Sequence, residues 1–145
     1  MYSDKTRKLI TPLALLLFSG LFILSCKKKE DPAPGCTAGT GGSINLHIAL
    51  MHHAALIPNY QSRPDTVWIK YCQSGWNDST PTYDTHFIGV PGEDSVFING
   101  MKPGQYFFRG SGYDSTIFLE VHGGTGYYLD GNTNPVILKI PVTEN

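Results

Sequence analysis

The sequence predicts an all-β fold, an antiparallel β-sandwich of about seven strands, and three observations carry that expectation. Apolar and polar residues alternate with a period of two in short runs, most cleanly in Ile44-Asn45-Leu46-His47-Ile48-Ala49-Leu50. The runs are separated by turn-forming residues, among the 16 glycines and 10 prolines of the chain. Beyond the N-terminus no stretch carries apolar residues at helical spacing. A length of 145 residues gives room for one domain.

Residues 44–50 form the first strand, with Ile44, Leu46, Ile48 and Leu50 on one face. Residues 51–65 contain two prolines and read as a long connection. Thr66-Val67-Trp68-Ile69-Lys70-Tyr71 is a second strand, with Trp68 expected in the core, and residues 74–81 are a polar loop. Residues 83–90 and 95–98 flank Pro91-Gly92-Glu93-Asp94 as a hairpin. Residues 95–114 organise the rest: strand, a turn at Lys102-Pro103-Gly104, then an aromatic-rich strand. Proline presets one turn dihedral and glycine supplies a positive φ, so this turn is expected to close a second hairpin. Residues 116–121 follow, Gly123-Gly124 is expected to break the strand, residues 126–129 make a short one, and residues 136–142 close the chain.

The N-terminus has the pattern of a targeting segment. Lys5, Arg7 and Lys8 precede an apolar run over residues 9–24. As a helix that run reaches roughly 24 Å, short of the ~30 Å hydrocarbon core, which favours a signal peptide over a spanning helix. It ends in Ile23-Leu24-Ser25-Cys26, which resembles the lipobox of bacterial lipoproteins. The resemblance implies cleavage before Cys26, lipidation of that cysteine and attachment to the outer membrane through its acyl chains. Residues 1–25 are then the signal peptide, 26–42 the lipidated cysteine and a tether rich in charge and proline, and 43–145 the β-domain. Lys29-Glu30-Asp31 is similar to the short signal that carries some outer-membrane lipoproteins to the cell surface. From Pro32 onward the chain holds five Lys/Arg against nine Asp/Glu, a balance that does not suit binding to nucleic-acid backbones.

The segment Val96-Phe97-Ile98-Asn99-Gly100-Met101-Lys102-Pro103-Gly104-Gln105-Tyr106, followed by Gly112-Tyr113-Asp114, resembles carboxypeptidase-regulatory-like and transthyretin-like sandwich domains. Leu56-Ile57-Pro58-Asn59 and Thr66-Val67-Trp68-Ile69 are similar to their first turn and following strand. The resemblance implies an adhesive, scaffolding or accessory module rather than an enzyme. Phe108-Arg109-Gly110-Ser111 is close to a terminal motif of transthyretin-like hydrolases, but here it lies mid-chain.

No nucleophile constellation or regular metal motif stands out. His47, Met51, His52 and His53 form the sharpest chemical cluster, and imidazole with thioether suits copper. If the first strand ran on to His53, then His47, Met51 and His53 would share a face; His86 and His122 could join only if the fold brought them near. Cys36 and Cys72, outside the cytoplasm once Cys26 is lipidated, are expected to pair as a disulfide. Tyr60 and Trp76 are candidate ligand contacts, since aromatic rings give binding area at low entropic cost. The expected role is that of a lipid-anchored binding or accessory module for a protein partner or extracellular polymer, without cofactor. A copper-binding lipoprotein is the alternative.

Overall fold

The computed structural model describes residues 35–75 and 82–144. Cys26, the Lys29-Glu30-Asp31 stretch and Trp76 lie outside the described residues. Those described form eight strands and no helix: β1 (Thr40–His52), β2 (Ala55–Ile57), β3 (Thr66–Tyr71), β4 (Thr85–Ile88), β5 (Val96–Met101), β6 (Gly104–Asp114), β7 (Leu119–Leu129) and β8 (Val136–Val142). They make two four-stranded sheets. In the first, β1 pairs with β8 along one edge and with β5 and then β2 along the other. The second runs β4-β3-β6-β7. All pairings are antiparallel except β1 with β8, the first and last strands, which no turn joins directly.

One apolar core takes the inward faces of both sheets. Leu46, Ile48 and Leu50 of β1 and Val136, Leu138 and Ile140 of β8 meet Val67 and Ile69 of β3 and Tyr106 and Phe108 of β6. The alternation of β1 and β8 in the sequence is thus the alternation between core and outer face. Trp68 departs from its expected place: it lies between the inward Val67 and Ile69, so it projects from the outer face, where its ring meets Tyr83.

Neither expected hairpin forms. β4 and β5 belong to different sheets, as do β5 and β6, so both connections cross the edge of the core. Pro-Gly signals say that the chain reverses; they do not say which strand it then pairs with. At the second crossing Met101 and Tyr106 are both fully buried, which carries the chain from one sheet to the other. The Tyr106 hydroxyl accepts from the Gly39 amide at 2.7 Å and lies 2.7 Å from the Lys102 carbonyl oxygen, to which it donates. That bond to the backbone four residues upstream is the arrangement of a tyrosine corner. A Cβ on Gly104 would come within 2.8 Å of the Ala38 backbone, and its φ of +152° disfavours side chains.

At the first crossing the buried Asn59 does comparable work. Its side-chain amide donates to the Glu93 carbonyl at 2.8 Å, and its Oδ1 accepts from the Asp65 amide at 2.8 Å. Two further expectations need correction. The connection over residues 51–65 contains β2, reached through a tight turn in which His53 (φ 46°) and Ala54 (φ 67°) are both left-handed. Gly123-Gly124 does not interrupt β7. A Cβ at Gly123 would fall 2.0 Å from the Pro141 oxygen and one at Gly124 2.5 Å from the Phe107 ring, so the glycines permit close approach within a continuous strand.

Cys36 and Cys72 are joined in a disulfide across 36 positions of sequence. The pairing ties the segment before β1 to the end of β3. Loop-closure entropy puts its contribution at about 3–4 kcal/mol. Reduction is therefore expected to lower the urea midpoint by a corresponding amount, and an unchanged midpoint would remove the disulfide from the account.

Asp65 is 1 % exposed, and neither carboxylate oxygen has a hydrogen-bond partner among the described residues. Burial raises its pKa from 3.8 to about 7. The folded state therefore keeps the proton longer than the unfolded chain, and its stability falls as pH rises from about 4 to about 7. Asp65→Asn removes that dependence. Urea unfolding of the variant is expected to give a stability advantage that grows across this window to about 1–3 kcal/mol. Parallel profiles for the two proteins would contradict it.

Candidate functional site

Among the described residues, two places combine chemistry-bearing side chains with space: the far end of β1, and the outer face of the β4-β3-β6-β7 sheet. The first begins with strand parity. Ile44, Leu46, Ile48 and Leu50 point inward, and His52, two residues on, does the same and is 2 % exposed. A polar ring at the edge of an apolar core requires partners. His52 Nδ1 lies 2.6 Å from Asp114 Oδ2, at the end of β6 in the opposite sheet, and Nε2 lies 2.7 Å from Glu144 Oε2. Asp114 is itself held by the β6–β7 turn, its Oδ1 accepting from the Thr116 amide at 2.7 Å and the Thr116 hydroxyl at 2.6 Å.

The electrostatics follow this geometry. Hydrogen bonds to Asp114, then to Glu144, raise the His52 pKa above its ordinary 6.5. Bonds from Thr116 and His52 lower Asp114 to about 2. Glu144 is lowered by hydrogen bonding to backbone and to His52. The three groups form one polar set, with His52 between Asp114 and Glu144, and the His52–Asp114 contact bridges the sheets.

A cleft of about 180 Å³ opens beside them, lined among others by His53, Leu56, Tyr60, Ser115 and Ile117. Tyr60 is hydrogen-bonded to the Ser115 hydroxyl, and its ring lies edge-on to Tyr113 at 6.1 Å. His52 does not serve a nucleophile: both ring nitrogens face carboxylates, so a Ser-His-Asp relay is not assembled here.

The expected cluster of His47, Met51, His52 and His53 does not converge. His47 and Met51 lie on the outer face of β1, opposite His52, and four residues of strand separate them by about 13 Å. His47 packs edge-on against Phe97 of the neighbouring strand, with centroids 4.6 Å apart. Only His53 stays with His52, because the left-handed turn after β1 brings their ring centroids to 4.1 Å. His86 and His122 sit on β4 and β7, the opposite edges of the other sheet. Sequence reasoning missed Asp114 and Glu144. Asp114 carried a signal as a turn residue with Thr116 two positions on, but its second oxygen meets a histidine 62 residues away in sequence. No local pattern marks Glu144.

The second place is a groove of about 610 Å³ on the outer face of the β4-β3-β6-β7 sheet. Register builds it: Arg109 faces Trp68 on one side and Gly124 on the other, Phe107 faces Gly126, and Ser111 faces His122. Gly124 and Gly126 project no side chain, which lets the Phe107 ring and the Ser74 carbonyl lie close against β7, with Arg109 and His122 alongside. Ser74, after β3, closes one end, with its carbonyl oxygen 2.0 Å from where a Gly126 Cβ would be. Tyr128 stands on the same face, 62 % exposed.

Comparison with protein families, with curated proteins and with solved structures finds no match to this chain.

Asp114→Asn is expected to cost about 1–2 kcal/mol in urea unfolding, since it weakens a charged hydrogen bond between sheets and a turn cap together. A change below a few tenths of a kcal/mol would mean that the bridge does not hold the sheets.

Proposed function

We propose that this chain is a non-catalytic, lipid-anchored lipoprotein of the outer membrane whose transthyretin-like β-sandwich binds an extended extracellular polymer, glycan or peptide. The observation that carries the reading is the groove over β6 and β7. Its chemistry is that of a binding face: a guanidinium, an imidazole and the Phe107 ring beside the glycines of β7. Arg109 places a guanidinium on this face beside Tyr83, and Trp68 and Tyr128 offer flat apolar area on the same face.

The shape favours a polymer over a globular partner. A trough along strands takes a chain lengthwise, whereas a globular partner needs a broad interface of roughly 800 Å² per side. The N-terminal reading supports placement outside the cell, through the lipobox at Cys26 and the tether that follows. The acyl chains that the lipobox implies are enough to hold a protein stably on a membrane. The His52 geometry, in which both ring nitrogens face carboxylates, assembles no Ser-His-Asp relay at that end of the domain.

Two measurements test this. Retention on envelope polysaccharide and on peptide columns is expected to fall about tenfold or more in Arg109→Ala, with partial loss in His122→Ala. Equal retention of both variants and wild type would place binding elsewhere. Cys26→Ser is expected to abolish incorporation of labelled palmitate and to release the protein from membranes; continued labelling would remove the anchor.

A further inference from the structure

We propose that His52, His53 and Glu144 form a binding site for a divalent transition metal of the zinc class, with Asp114 as the residue that orients His52. One ring nitrogen from each of His52 and His53 and a Glu144 carboxylate oxygen all lie within 4.8 Å of one another. Glu144 Oε2 is 2.7 Å from His52 Nε2 and 3.9 Å from His53 Nε2. Donor atoms around a tetrahedral zinc ion, each about 2.0–2.1 Å from the metal, stand roughly 3.3 Å apart. Closing the three donors onto an ion therefore requires shifts on the order of 1 Å. The residues that must move are the ones free to do so, since His53 is 76 % and Glu144 45 % exposed, while His52 is fixed.

The surroundings of His52 are what a metal-ligating histidine needs. Such a histidine donates its second ring N–H to a carboxylate, which fixes the tautomer and aims the other nitrogen at the metal. Asp114 occupies that position at 2.6 Å and is held in turn by Thr116. In the metal-free protein Nε2 faces the Glu144 carboxylate, where the ion would stand. The turn geometry contributes a second element: His53 and Ala54 adopt left-handed backbone conformations that non-glycine residues rarely take, and the result is two imidazoles side by side.

Two nitrogens and one carboxylate favour zinc or a similar borderline ion. Cuprous copper prefers sulfur, and Met51 faces away from this site. Three protein donors leave a fourth position for water or an incoming donor, beside the cleft that holds Tyr60 and Ser115. The site is independent of the groove, which lies on the outer face of the other sheet.

The test is calorimetric titration of the full-length, metal-stripped protein in detergent with zinc chloride, and with cobalt chloride followed by visible absorption. The expected result is one saturable site and the intense visible bands of four-coordinate cobalt. His53→Ala and Glu144→Gln, both exposed changes that leave the core intact, are expected to weaken binding by at least about tenfold. Asp114→Asn is expected to weaken it about 10–100-fold. His47→Ala and Met51→Leu are expected to leave it unchanged. Absence of saturable binding, binding that survives both His53→Ala and Glu144→Gln, or loss in His47→Ala would each overturn the proposal.

Discussion

The hydroxyl of Tyr106 is the contact on which the two-sheet arrangement turns. Its ring is fully buried, stacked on Phe108 and edge-on to Tyr71, so the oxygen must find partners inside the protein. It finds them in Gly39 and Lys102, one before β1 and one at the β5–β6 crossing. A single polar atom thus fastens the entry of the chain to the point where it passes between sheets. The Cys36–Cys72 disulfide holds the same end, with Tyr71 next to Cys72. The other end has no such covalent tie. There the sheets are bridged by the contact between His52 and Asp114. One end of the domain is locked by a covalent bond, and the other is held by a polar contact.

That asymmetry orders the candidate sites. The groove lies over β6 and β7 on the outer face of the sheet whose core side carries Val67, Ile69, Tyr106 and Phe108, and strands present its side chains. Sites on such elements hold their geometry better than sites on loops. The His52 end combines a fixed ring with movable donors at a turn and near the C-terminal Glu144. The first arrangement suits recognition of an extended surface, the second capture of a small ion.

Much of the fold was legible because strand alternation reports burial directly. β3 and β8 have the boundaries their alternation predicts, and the inward residues of β1 are those that the period of two selects. Pairing was not legible. Turn signals at Pro91-Gly92 and Pro103-Gly104 encode reversal, whereas the choice between hairpin and crossing depends on burial of Met101 and on bonds between Asn59 and Glu93 and between Tyr106 and Gly39, which are distant in sequence. The glycines of β7 misled for a related reason: their meaning lies in Phe107, Ser74 and Pro141, which approach them from other elements. The histidine cluster was half legible. Adjacency of His52 and His53 was visible, but the direction of each ring was set by strand parity and by a left-handed turn. Asp114 and Glu144, which complete the site, come from β6 and from the segment after β8.

The central claim is that the outer face of β6 and β7 is the working surface. Amide hydrogen exchange on the full-length protein in detergent, with and without soluble envelope polysaccharide or peptide from the cells that make it, tests this most directly. The account predicts slowed exchange at the amides of residues 107–111 and 122–126 when ligand is present, with the β1–β2 turn unchanged. Protection confined to the β1–β2 turn, or none anywhere at saturating ligand, would contradict it.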